Sequence, residues 1–437
     1  HGLAWALDRA RVDVHDAPSA AAALERVAER AAAERAAGAD GSWLVGGGWT
    51  EAMLAAVDDP AAALDAATGG RAAAMWSRDR HALWLNAAAL AEIGGEAVRR
   101  EDAAWDVPLP EPTRAERQRA VSEGQRAAHA AGLTGIHDFE RRGGRRTWQE
   151  LDGDDRVTLR VISAIPAEHV DAVDAVEVVG GFGSDHVRVG PVKAFMDGTL
   201  GARTAHMLEP YDDGGTGLAL LDADGVAALA TRAAALGLPV ALHAIGDAAV
   251  RAALDGLAAS REAWREVADL HERPPRIEHA QLVHPDDLAR FAELGVVASM
   301  QPLHAVEDRA DAAAAWGARG AGAYAWRPLH ETGATLVLGT DAPISPLDPI
   351  ATLAAAVGRP HAPGHALAVD DALRAMTWAP YAISGLGSRL GRLAPGRAAD
   401  LVVLDADPYA TAPEDLAGIR VVATMVGGRW VHGRPPW

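Results

Sequence analysis

The chain has 437 residues, a formal net charge of −19 and no cysteine. That length holds one large domain, or a domain with a small appendage, and the acidic balance argues against a nucleic-acid partner. Without cysteine there is no disulfide framework, thiolate nucleophile or cysteine zinc site, so any metal must be held by His, carboxylates or groups derived from them. No apolar run is long enough to cross a bilayer and no signal peptide is visible. The expected setting is therefore cytoplasmic, with no membrane contact, a small molecule as substrate and at most a second copy of the chain, as a homodimer, for a partner.

In chain order, residues 40–110 come first, carrying "SWLVGGGWTEAM" and "RAAAMWSRDRHALWLNAAAL". They read as a subdomain inserted ahead of the main repeat of elements. A helical pattern at 114–131 then opens a series in which short apolar runs alternate with Ala-rich helices, the mark of a parallel sheet. The predicted strands are 132–139, 157–165, 187–196, 238–245, 276–280, 296–302 and 335–343, with helices at 223–236, 246–259 and 285–294 between them. Seven strands are one short of a closed (β/α)8 TIM barrel, and the eighth is expected at or before His1. The tail, "LAPGRAADLVVLDADP" and "VVATMVGGRWVHG", reads as short antiparallel strands. A barrel over 1–390 and a small β-sandwich-like domain built partly from 391–437 follow, the tail being too small to stand alone.

The polar residues at strand ends carry the chemistry. Lys193 lies near the end of one strand, His243 near the end of the next, His279 on the one after, and Asp341 ends the last. In a barrel these C-terminal ends share one mouth, where active sites form. Charges gathered there need partners, and a divalent cation is the simplest shared one. Lys193 is also the only lysine among 41 basic Lys and Arg residues. Lysine, unlike arginine, can give up its proton and use the nitrogen lone pair. The competing reading is a buried lysine paired with Asp197 or another acid.

The motifs "VKAFMDGTLGARTA", "LHAIGDAAV", "IEHAQLVHPDDL", "LGTDAPISPLDP" and "LGRLAPGRAADLVVLDADP" cover essentially the whole chain. On them the sequence resembles the amidohydrolase superfamily, in its family 3 branch of N-substituted formamide deformylase-like hydrolases. The resemblance implies a metal-dependent hydrolase barrel with two divalent ions at its mouth, zinc or else iron or manganese. Lys193, carbamylated by CO2, would bridge them; His243 and His279 would hold one ion, and Asp341 would bind the other and carry the proton. Relatives place a His-x-His pair at the end of the first strand. His1 stands ten residues before "VDV" (12–14), about where the second His of that pair is expected, so it is the proposed further ligand. The other reading of His1 is an arbitrary starting point. His81, in "RDRHALWLN", matches a His that points at substrate, to polarise a carbonyl, or else caps a turn.

The reaction this implies is attack of a metal-bridging hydroxide on a carbonyl, with Asp341 as general base and then acid, cleaving an amide, formamide or cyclic amide. A mononuclear deaminase is disfavoured, because Gly246 stands where the resemblance would require a Glu. The alternative from another class is a catalytically silent barrel used for binding or assembly. Four side residues are left open: His137 and Asp138 as an ion pair bracing the mouth, and Arg203 and His304 as substrate contacts. Trp49, Trp76 and Trp84 are expected either to line an apolar pocket or to pack the insertion.

Overall fold

The computed structural model describes residues 1–36, 43–77, 82–100, 102–212, 214–359 and 361–435. They form two compact units, Leu3–Gly124 and His1–Gly2 with Gln125–Trp437.

The first unit is built on a five-stranded sheet, β1 (Val12–Asp13), β2 (Leu44–Trp49), β3 (Ala73–Ser77), β4 (Ala82–Leu85) and β5 (Val98–Arg100), in that order. The first three strands run parallel and the last two antiparallel. Both faces are covered, as the alternation along β4 records. Ala82 and Trp84 join one apolar cluster with Met75 and Trp49; Leu83 and Leu85 join the other with Ala74. The period of two that does this also separates the three tryptophans. Trp49 and Trp84 meet edge to face at 6.2 Å, while Trp76 packs on the opposite face. They are therefore not one pocket lining. Trp49 donates its indole N–H to Met75 O at 2.6 Å and Trp84 to Pro60 O at 2.7 Å, so both are satisfied core residues. His81 lies outside the described residues.

The second unit carries a seven-stranded parallel sheet: β6 (Gly135–Asp138), β7 (Arg160–Pro166), β8 (Val187–Phe195), β9 (Val240–Ala244), β10 (Arg276–His279), β11 (Val297–Met300) and β12 (Leu336–Leu338). Neighbours in sequence are neighbours in the sheet, from β6 to β12, the arrangement of a barrel of parallel strands with helices outside. All seven predicted strands form. Every residue of β7, β9, β10, β11 and β12 is buried, so these strands lack a regular apolar–polar alternation; Arg160 on β7 and Arg276 and Glu278 on β10 are buried charges among them. An eighth strand is not among the described residues. The C-terminal ends of the two edge strands are instead linked by the first residues. The His1 amino group donates to Ala342 O at 3.0 Å, and Gly2 N donates to Asp138 Oδ1 at 2.9 Å.

The outer helices are held by simple means. In Ala223–Ala235, Val226, Leu229, Ala230 and Ala233 make one buried stripe at helical spacing. Asp222 caps its start by accepting from Gly225 N at 2.8 Å. Gly237, at φ 66°, lets the chain turn out of the helix into β9. The abundant alanine gives these helices flat faces that lie close on the sheet.

The tail forms a three-stranded antiparallel sheet, β13 (Leu401–Leu404), β14 (Val421–Val426) and β15 (Arg429–His432). It is anchored to the barrel by a buried fork: Arg160, at the start of β7, reaches Asp400 with Nε at 2.5 Å and Nη2 at 2.9 Å. Thr424 adds a hydrogen bond to His129 O at 2.7 Å.

Because Trp84 is core, Trp84→Ala should destabilise the protein by about 3–5 kcal/mol, measured as a shift of the denaturant midpoint. A variant of unchanged stability would return Trp84 to the role of pocket lining.

Candidate active site

Strand register brings the predicted residues together. Phe195 at the end of β8 pairs with His243 on β9, and His243 pairs with Glu278 on β10. Lys193, two residues before Phe195, therefore points to the same side of the sheet as Phe195, beside His243 and His279. The imidazoles of His243 and His279 meet at 4.5 Å between ring centres. Asp341 follows β12, and the His1 backbone touches its neighbour Ala342. The sequence expectation that these strand ends share one mouth is met for Lys193, His243, His279 and Asp341.

Two of these residues hold unusual backbone. His279 has φ 75° and Asp341 has φ 57°, a left-handed conformation that non-glycine residues seldom adopt and that is concentrated at functional sites. Ala280 continues it at φ 41°. The strands break sharply where they reach the mouth, and that turns the two side chains inward.

Each histidine is wired on one side only. His243 Nε2 lies 2.9 Å from Gly198 O and His279 Nδ1 lies 2.8 Å from Gln301 Oε1. No hydrogen bond among the described residues engages the other nitrogen of either ring. Burial holds both well below the usual histidine pKa, reinforced at His243 by His279 and at His279 by Lys193. Both rings are therefore neutral at pH 7, with one nitrogen oriented by an oxygen and the other available, the state in which imidazole binds a metal.

Lys193 is buried to 8% exposure. It makes no hydrogen bond or ion pair among the described residues; its Nζ lies 5.0 Å and 5.1 Å from the ring centres of Phe195 and Phe139. Burial lowers its pKa to about 8, against the opposing pull of Glu278, Asp341 and Asp197. The competing expectation, a structural pair with Asp197, is not met. Asp197 is occupied elsewhere: it accepts from Gly246 N at 2.8 Å, His206 N at 2.9 Å and Ile245 N at 3.1 Å. Burial nonetheless pushes its pKa up to about 7. It pins the turns after β8 and β9, and so places His243.

The donor set fits a cation only in part. Among the described residues no group of three or more His, Asp or Glu side chains is arranged to hold a metal ion. Two half-wired imidazoles are present, but the Lys193 ammonium at the same strand ends repels a cation unless it becomes an anionic ligand. Lys193 therefore decides whether the site fits.

The remaining candidates separate clearly. His304 is at the site: its ring stacks on His279 at 5.7 Å, and its Nε2, buried without a hydrogen bond, is 4.0 Å from Asp341 Oδ2. Arg203 bonds Leu200 O in its own loop and lies over Tyr211. His137 does not pair with Asp138. It meets Arg276 Nη1 at 2.6 Å, whereas Asp138 accepts from Trp148 Nε1 at 2.7 Å and from Gly2. The two side chains leave opposite faces of β6, as successive strand residues must. Sequence reasoning missed Asp197 as a brace and Gln301 and Glu278 altogether. Each is a polar residue within or just past an apolar strand, the same signal that exposed His243.

Comparison with known proteins adds the following. The model of the amidohydrolase family matches residues 1–432. Protein LONG AFTER FAR-RED 3 of Arabidopsis thaliana is 29% identical over 438 residues, 90% of this chain and 74% of the relative. N-substituted formamide deformylase of Arthrobacter pascens is 31% identical over 216 residues, 46% of this chain and 38% of the relative. A crystal structure described as an uncharacterized metal-dependent hydrolase from Pyrococcus furiosus superimposes with a TM-score of 0.78 at 28% identity, covering 94% of this chain and 86% of the other.

Gln301 orients His279, so Gln301→Leu should weaken divalent-cation binding about 10–100-fold, read as metal retained after dialysis against a graded chelator. Unchanged retention would show that His279 is not a ligand.

Proposed function

We infer, from the premise that the chain belongs to the amidohydrolase family, that it hydrolyses a carbon–nitrogen bond of a small molecule: an amide, a formamide or a cyclic amide. The observation that carries this reading is Lys193, a buried amine without an ion pair, set among two neutral imidazoles and Asp341. A relative named for formamide deformylation supports the bond class.

In this reading Lys193 would carry a CO2-derived carbamate and, with His243, His279, Asp341 and His1, would hold two divalent ions, zinc or else iron or manganese. Such ions lower the pKa of a bound water toward 7 and polarise a carbonyl. The protein's own residues do the rest. A carbamate turns the amine into a carboxylate with two oxygen donors, which no arginine can supply. Asp341 accepts a proton from water and passes it to the leaving nitrogen, so that an acid and an amine depart. His304, with its free Nε2 beside Asp341 Oδ2, is placed to orient that carboxylate or the substrate oxygen. Phe139 and Phe195 wall the Lys193 side of the mouth and keep water from crowding the amine. His81 stays a proposal as a carbonyl-polarising residue.

The lack of a complete His, Asp and Glu ligand group is the one observation favouring a silent barrel used for binding or assembly. Elemental analysis separates the two readings: a hydrolase of this kind should contain close to two metal ions per chain as purified, and a silent barrel none.

Lys193→Arg should lose the bridged metals and all activity despite keeping its charge. Lys193→Ala should do the same but recover partial activity with added short carboxylic acids. Full metal content and activity in the arginine variant would overturn the bridging role.

Carbamate formation should depend on pH with a defined sign. CO2 attacks only the neutral amine, and a pKa of about 8 leaves about a tenth of Lys193 neutral at pH 7 and about nine-tenths at pH 9. At fixed dissolved 13C-labelled CO2, the carbamate signal of metal-free protein should therefore rise through pH 8. A rise centred above pH 10 would mean that burial does not perturb the amine.

A further inference from the structure

At the opposite, N-terminal end of the barrel sheet lies a second, partly open cavity. Its walls are strand starts: Arg188 on β8, Pro239 ahead of β9 and Arg276 at the head of β10, with Arg273, Gly180 and Gly181 from the adjoining loops. Arg276 begins the strand that His279 ends, about 10 Å of backbone earlier, and its guanidinium lies 5.0 Å from the Phe139 ring that Lys193 also approaches.

Three arginines line this space, and no carboxylate is among its lining residues. Arg188 is partly satisfied, giving Nη1 to Gly181 O at 3.1 Å and lying 3.4 Å from Asp185. Arg276 is buried to 4% exposure. Its Nη1 meets His137 and its Nε lies 2.7 Å from Glu278 Oε1, yet Nε forms no aligned hydrogen bond and Nη2 has no partner at all. Arg273 makes no hydrogen bond or ion pair among the described residues. Burial and the nearby Arg188 both press on its charge. Gly181 is bare where Arg273 lies: a Cβ there would run into its guanidinium, whereas one on Gly180 would first meet Gly237 O. A buried guanidinium with unmade hydrogen bonds is costly; Arg276 is one, and the half-buried Arg273 lines the same cavity.

We propose that this cavity binds a small planar oxyanion, bicarbonate or the carboxylate of a small organic acid, held by the N–H edges of Arg273 and Arg276. The guanidinium fork presents parallel donors matched to two oxygens of a planar anion. The anion would satisfy Arg276 Nη2 and supply the negative charge that the lining lacks.

The test is calorimetric titration of the full chain, as purified and at constant ionic strength, with formate, bicarbonate and chloride in turn. Wild type should bind formate or bicarbonate at least tenfold more tightly than chloride. Tighter binding of bicarbonate identifies the inorganic ion as the ligand, and tighter binding of formate identifies an organic carboxylate. Arg273→Gln should weaken binding at least tenfold, and Arg273→Lys should fall between, keeping charge but not the fork. Circular dichroism and melting would confirm that both variants fold. His279→Ala should bind as wild type, which separates this cavity from the mouth. The proposal fails if chloride binds equally well, if Arg273→Gln is without effect, or if His279→Ala loses the anion while Arg273→Gln keeps it.

Discussion

The burial of one ammonium without a counter-ion is the constraint around which the barrel mouth is organised. A buried charge costs several kcal/mol unless it is paired or neutralised. Lys193 has aromatic rings beside it and no ion pair among the described residues, and two of the acids that act on it are engaged elsewhere: Glu278 with Arg276 and Asp197 with three backbone amides. Burial therefore lowers the pKa of this lysine to about 8, so that its neutral form comes within reach of neutral pH. In its neutral form such an amine is a nucleophile, and a neutral imidazole keeps a lone pair free to bind. Both properties follow from the same removal of water.

Holding such a site takes rigid support, and the support is visible. His279 and Asp341 sit in left-handed backbone that costs of order 1–3 kcal/mol each. Hydrogen bonds from outside the site offset it: Gln301 fixes one imidazole, the Gly198 carbonyl fixes the other, and Asp197 clamps the turns on either side of β9. Strain and bracing coincide at the strand ends.

The two ends of the sheet solve opposite electrostatic problems. The mouth gathers histidines and acids around an amine, whereas the floor gathers arginines around a space with no acid in its lining. Arg276 and Glu278 lie between them on a single four-residue strand, so charge on the floor is only one ion pair away from Lys193. This also explains why Arg276 lowers and Glu278 raises the affinity of that amine for its proton.

Much of the architecture was legible in the sequence. Continuous apolar runs separated by amphipathic Ala-rich helices announce a buried parallel sheet, because such strands have no solvent face to mark with polar residues. The same logic made Lys193, His243, His279 and Asp341 conspicuous as polar residues at the ends of apolar runs, and the lone lysine stood out against a uniform arginine background. The sequence alone did not determine which way each side chain turns or what occupies its second hydrogen-bonding atom. His137 and Asp138 look like a pair and face apart; Trp76 looks like part of an aromatic cluster and lies across the sheet from it. Gln301 and Asp197 brace the histidines from neighbouring turns, and Arg273 meets Arg276 across a cavity. These relations come from strand register and from closure of loops distant in sequence. They depend on distances between segments, which the order of residues along a chain does not record and only the folded backbone sets.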